Sequence, residues 1–314
     1  MTDFDALLLI SFGGPEGPAD VMPFLRNVTA GRNIPDNRLA VVAKQYAQFG
    51  GISPINGQNL DLIDALQTAL AELDVDLPIY FGNRNWQPFL ADTVAEMAAD
   101  GVTNALAFAT SLFDSYSGDG QYQEDIDAAL QKAGPDAPAI HKIAPLRNVA
   151  EFVEATAAQI TDQLSDLPTE QLANMTLLFT AHSLPQTMAD DCAYQEQLSE
   201  TASAVVRAID FNGPFSVVFQ SRSGAPQTPW LEPDVGDVIE TLPAGTTAVV
   251  IPIGFMSDHI EVLYDLDTLA AQQANASGVP FIRIPTVGIH PIFVRGLAAY
   301  LNEMLQSPTN RRDL

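Results

Sequence analysis

Short apolar runs alternate with longer amphipathic stretches along this chain, and that alternation constrains its fold more than any other feature. Runs at 6–12, 78–81, 105–110 and 139–143 in the first half are short, apolar and bounded by turn residues, as are 175–181, 215–220, 248–253 and 281–284 in the second. Strands covered on both faces read this way. Between them, 37–49, 60–73, 89–99, 125–133, 149–164, 196–209, 261–273 and 292–305 carry helical spacing. Strand–helix alternation builds parallel, doubly wound sheets. Four strands, a long helix and four more strands predict an α/β fold of two Rossmann-like doubly wound lobes, residues 1–147 and 148–314. The helix from Val149 is expected to cross between them, and the last helix, after Pro291, can return to pack on the first lobe. No repeat is visible at the residue level, so the two-fold pattern rests on element order. In such folds ligands bind beyond the carboxyl ends of the strands, which puts the expected active site in the interlobe cleft.

Composition narrows the partners. An apolar fraction of 47% with 17% charged residues excludes disorder. Against 39 acidic residues stand 14 basic ones, a formal charge of −25. Such a chain is repelled by phosphate backbones and by anionic lipid headgroups, so nucleic acid is not an expected partner. The lysines are only Lys44, Lys132 and Lys142, a surface solubilised by carboxylate that suits a salty cytoplasm. One cysteine, Cys192, excludes an internal disulfide and any site built from several thiolates. The opening Met1-Thr2-Asp3-Phe4-Asp5 has no basic stretch before its apolar run, so no secretory signal is expected. No apolar run approaches the roughly 20 residues of a bilayer span. A cytoplasmic location follows as the expectation.

Familiar motifs are mostly excluded. Gly13-Gly14-Pro15-Glu16-Gly17 lacks the spacing of a dinucleotide loop, Gly118-Asp119-Gly120 lacks a third glycine, and no Walker lysine exists. Ser221-Arg222-Ser223-Gly224 is not a nucleophile elbow, and the histidines form no HExxH.

Two segments remain. Thr180-Ala181-His182-Ser183-Leu184-Pro185 follows an apolar run and puts His182 at the carboxyl end of a buried strand. There it is either turned to the cleft or satisfied by a backbone carbonyl. The segment 254–265 also follows a buried strand and opens a helix with Glu261 and Asp265 one turn apart. Two like charges on one face gain nothing structurally and point to a cation or a proton path. The alternative is local: Asp258 with Glu261 three residues on fits a helix capping box.

Taken together, 180–185 and 254–267 resemble the two signature stretches of the ferrochelatase family, which inserts ferrous iron into a porphyrin. Ser11-Phe12-Gly13-Gly14-Pro15 resembles the family's first loop, Gly50-Gly51-Ile52-Ser53-Pro54 its porphyrin-contacting turn, and Pro229-Trp230-Leu231-Glu232-Pro233-Asp234 lies in a third diagnostic segment. The resemblance runs nearly end to end. Phe81-Gly82-Asn83-Arg84-Asn85-Trp86 and Ser115-Tyr116-Ser117-Gly118 look most like the actinobacterial branch, expected to act on coproporphyrin III and give coprohaem.

The resemblance implies the chelatase-like fold and a set of roles. His182 is the metal ligand and proton acceptor, Glu261 faces it, and Asp265 extends the acidic face toward the metal. Substrate contacts carried over are Phe12, Ser53, Tyr122, Arg32 and Arg84. Where one branch has an iron-ligating tyrosine this chain has Phe12, whose ring packs on the porphyrin or in the core. Where the family often has a third acid stands Leu269. Relatives present arginines for the propionates at positions that here hold Thr29, Ala30 and Gln45, which relaxes specificity or raises the Michaelis constant. Some relatives hold a [2Fe–2S] cluster; Asp119 replaces a cluster cysteine here and the tail has none, so no cluster and no tightly bound cofactor are expected, with Fe²⁺ a substrate. Product hand-over to a downstream haem-synthesis enzyme is a further expectation. A protoporphyrin IX ferrochelatase and a non-catalytic porphyrin or haem carrier are the alternatives.

Overall fold

The computed structural model describes residues 4–224 and 227–307. The first three residues of the opening segment and the cysteine-free tail from 308 lie outside the described residues. By its contacts the chain divides into two units. One comprises Met1–Ser111, Ser117–Val149 and Val294–Leu314; the other comprises Leu112–Tyr116 and Ala150–Phe293. The expected boundary was a single cut at 147/148, whereas the contacts interleave the chain. Residues 112–116 join the second unit because Phe113 packs edge-on to Tyr194 and the Asp114 amide donates to Gln197 Oε1 at 2.9 Å.

The first unit holds a parallel sheet of β1 (Ala6–Ser11), β2 (Ile79–Asn83), β3 (Asn104–Ala109) and β4 (Ala139–Lys142) in the order β2-β1-β3-β4. Every residue of β1 is buried, as a central strand covered on both faces requires. Ala6, Leu8 and Ile10 on one face pack in a core with Leu90, Val94 and Met97 of helix Leu90–Ala99 and with Tyr122 and Ile126 of helix Gln121–Ala133.

The second unit repeats the plan. Its parallel sheet consists of β5 (Met175–His182), β6 (Phe215–Gln220), β7 (Thr247–Ile251) and β8 (Phe281–Arg283), ordered β6-β5-β7-β8. Leu178, Val218 and Val250 form a core with Val235 and Ile239 of helix Val235–Glu240 and with Val262, Leu266 and Ala270. In each unit the chain adds its second strand on one side of the first and the next two on the other. The order therefore reverses between β1 and β3, and again between β5 and β7. Loops leaving the strands part at such a point and open a crevice at the carboxyl ends.

One local expectation changes. The helix after Ser53 spans Ile55–Ala71, not 60–73, since Pro54 starts it one turn earlier. Residues 21–28 form a short helix whose Phe24 and Leu25 are buried.

Candidate active site

In the second unit the site begins at the carboxyl end of β5. His182 is the last residue of that strand, and its carbonyl accepts a hydrogen bond from the Tyr194 hydroxyl at 3.1 Å. Its ring Nδ1 lies 2.5 Å from the carbonyl oxygen of Ser183. A carbonyl only accepts, so Nδ1 carries the proton and Nε2 is left with a lone pair. Nε2 faces Glu261 Oε2 at 3.5 Å. One nitrogen is thus satisfied by backbone, and the other points at the acid. Two acceptor atoms set this way are complementary to a proton or a metal ion between them.

Glu261 comes from the loop after β7. Gly254 brings that loop hard against β5, its amide donating to the Thr180 carbonyl at 3.0 Å. A Cβ on Gly254 would lie 2.6 Å from Cα of Ala181, so only glycine admits this approach. The helix then starts at Ile260, capped by His259, whose Nδ1 accepts from the Glu261 amide at 3.2 Å. Asp258, the other residue of the possible capping box, accepts from Arg283 Nη1 at 3.2 Å and from the Thr286 hydroxyl at 3.3 Å. Burial lowers the pKa of His259, which keeps it neutral and able to accept. Gln220, the buried last residue of β6, donates to the Glu261 carbonyl at 3.0 Å.

Beyond Val262 the helix widens into i→i+5 turns over Leu263–Ala270, a geometry that favours functional positions. Asp265 lies on this stretch and accepts from Ser221 Oγ at 2.5 Å, Ser221 itself holding a left-handed φ of 62°. Burial first, and the neighbouring Glu261 charge against the lowering bond from Ser221, push Asp265 up to about 6. His182, Glu261 and Asp265 are not gathered into one three-donor group; among the described residues no cluster of three or more such side chains occurs. The sequence offered no sign of Ser221, which lies 44 positions from Asp265, or of His259 as a cap, since histidine is not among the residues that commonly cap helices.

In the first unit Phe12 and Arg84 stand just past the carboxyl ends of β1 and β2. The Ser11 and Thr110 hydroxyls lie 2.9 Å apart at the crevice between β1 and β3. Phe12, next in the chain, is exposed, its ring edge-on to buried Phe24. Arg84 follows β2 and is only 13% exposed in its side chain. Its guanidinium lies 5.9 Å from the Phe12 ring centre and 5.1 Å from that of Tyr122, and its Nε is 2.5 Å from Asp125. That charge is already matched, and the cation–π contacts make Arg84 a prop for Phe12 as much as a carboxylate receptor. Tyr122 is buried, and burial raises the pKa of its hydroxyl. Ser53 is buried beneath the first loop, where a Cβ on Gly14 would meet its own Cβ at 2.5 Å. Arg32 is exposed.

A [2Fe–2S] cluster does not fit these residues. Asp119 is paired with the largely buried Lys142, and Cys192, the single thiol, donates to the Met188 carbonyl. Trp86 is held by edge contacts to Phe24 and Phe89.

Two parallel four-stranded sheets of like order, each with chemistry-bearing side chains at the reversal point, define a two-lobed chelatase-like α/β fold. A cobalt-bound sirohydrochlorin chelatase of Bacillus subtilis subspecies spizizenii shares it, with a TM-score of 0.54 at 13% identity over 98% of this chain and 97% of that one. The ferrochelatase family model matches residues 4–305, and the chain belongs to that family of porphyrin-metallating lyases. Among its relatives, the coproporphyrin III ferrochelatase of Mycolicibacterium smegmatis is 48% identical, the alignment covering 98% of this chain and 92% of the relative. That of Frankia alni is 49% identical over 99% of this chain and 82% of the relative.

Proposed function

We propose that this enzyme inserts Fe²⁺ into coproporphyrin III to give coprohaem, in the cytoplasm, with His182 and Glu261 carrying the chemistry. The observation behind the assignment of residues is the His182 Nε2 lone pair set 3.5 Å from the Glu261 carboxylate; the choice of porphyrin is supported by relatives near half identity that bear that name.

Metallation needs three acts: water must leave Fe²⁺, two pyrrole protons must leave the macrocycle, and the metal must meet the ring nitrogens. Nε2 of a neutral imidazole replaces a water on the metal or takes a pyrrole proton near pH 7. Glu261 compensates the positive charge that either event creates at His182. Asp265, poised near 6, passes protons onward and holds iron on its approach. Phe12 lies against the macrocycle, Tyr122 and Ser53 shape the surface beneath it, and Arg32 and Arg84 offer the positive charge that propionates require. The product passes by transient hand-over to the next enzyme of haem synthesis.

Anaerobic absorbance assays with Fe²⁺ and either coproporphyrin III or protoporphyrin IX test this directly. The free-base bands should disappear with coproporphyrin and persist with protoporphyrin; the reverse preference overturns the substrate. His182→Ala should lower turnover at least a hundredfold with porphyrin binding intact. Unchanged turnover in that variant would remove His182 from the chemistry.

A further inference from the structure

Between Asp258 and Asp267 the chain places four carboxylates: Asp258, Glu261, Asp265 and Asp267. Like charges this close repel and disfavour one another's ionised forms. The fold treats them unequally. The outer two converge on one guanidinium: Arg283 Nε and Nη2 donate to the two oxygens of Asp267 at 2.6 and 2.9 Å, and Nη1 donates to Asp258 Oδ1 at 3.2 Å. The inner two are left to other partners, Glu261 to His182 and Asp265 to Ser221.

We propose that Arg283 is a positioning residue for iron insertion: by gripping both ends of this acidic stretch it neutralises the outer carboxylates and fixes the place from which Glu261 and Asp265 act. The proposal rests on the reading above that Glu261 and His182 handle the metal.

Three observations carry it. The stretch departs from regular α-helical geometry, a first helical turn of three residues giving way to wide turns over Leu263–Ala270. The anchor belongs to the sheet. Arg283 closes β8 and is registered against Val250 of the central strand β7, and its side chain is only 16% exposed. The grip is also built from more than one element. The Thr286 hydroxyl donates to the same Asp258 oxygen at 3.3 Å, and Thr286 is tied by its carbonyl to Gln159 Nε2 at 3.0 Å. Only arginine suits the place, because its planar fork reaches two carboxylates at once whereas a lysine offers a point charge.

The test compares Arg283→Gln and Arg283→Lys with the parent, using anaerobic Fe²⁺ insertion into coproporphyrin III and, separately, porphyrin binding by tryptophan fluorescence quenching. Arg283→Gln should lose at least tenfold in turnover and raise the apparent KM for Fe²⁺, with the porphyrin Kd within twofold of the parent. Arg283→Lys should fall between the two. A folded Arg283→Gln enzyme with turnover within twofold of the parent overturns the proposal, as does loss of porphyrin binding in step with turnover, which marks a general structural role. Should Arg283→Gln fail to fold, Asp267→Ala removes the forked arm alone and is expected to lower turnover at least threefold at constant porphyrin Kd; parental turnover there overturns the proposal too. His182→Ala and Glu261→Gln run alongside. If those two retain turnover, it is the assignment of the metal-handling pair that fails, whatever Arg283 does.

Discussion

Asp265 is held against its own charge, and that has a measurable sign. Its folded pKa stands near 6, above the ordinary 3.8, chiefly through burial. The folded state therefore binds the proton more tightly than the unfolded chain does. The stability this gives is fully present below about pH 4 and is lost as pH rises through 6. Asp265→Asn, which mimics the protonated form, should raise stability at pH 7.5 by about 1–2 kcal/mol, less than the full shift implies because the side chain is part-exposed. At pH 4 the gain should vanish. Urea unfolding at both pH values checks this, and equal effects at the two would separate the shift from stability. His182 teaches a related lesson at this scale. Its position at a strand end was readable from the apolar run before it, but which nitrogen faces Glu261 depends on the Ser183 carbonyl, and only coordinates supply that.

At the scale of elements, the strands declared themselves because each is a short apolar run covered on both faces, and the eight expected runs correspond to β1–β8. Helix ends were less legible. Asp258 with Glu261 has the spacing of a capping box, yet Asp258 also takes long-range bonds from Arg283 and Thr286, and the Glu261 amide donates to His259. The widened turns of 263–270 have no sequence signature that periodicity detects. Of the residues named by resemblance, His182 and Glu261 lie together, while Arg84 pairs with Asp125, a partner 41 positions along that no local rule selects. The loop 254–259 depends on one glycine. Gly254→Ala would push a methyl onto the Ala181 backbone and should destabilise the fold by about 1–3 kcal/mol while displacing Glu261 from His182. Denaturation with urea and the insertion assay together test it, and a fully active, parentally stable variant would show that the loop yields freely.

The whole molecule carries a formal −25 with 14 basic residues to offset 39 acids. Self-repulsion on that scale opposes the compact state and is screened by salt, the Debye length falling from about 10 Å at 0.1 M to about 3 Å at 1 M. The melting temperature should therefore rise by several degrees between 0.1 and 1 M KCl, most steeply at the low end. A flat or falling Tm over that range would mean the carboxylates are spaced widely enough not to matter.

The division of the chain into units also sets an order of manufacture. Helix Pro291–Gln306 belongs, from Val294 onward, with the N-terminal unit, and its Leu297, Ala298 and Leu301 are fully buried. A ribosome that has released residues 1–149 has not yet released everything that unit needs. The second unit, by contrast, is complete once residue 293 has emerged, so the part of the protein that is begun first is finished last. A nascent chain halted before that helix would hold every residue of the second unit but not yet those of the first.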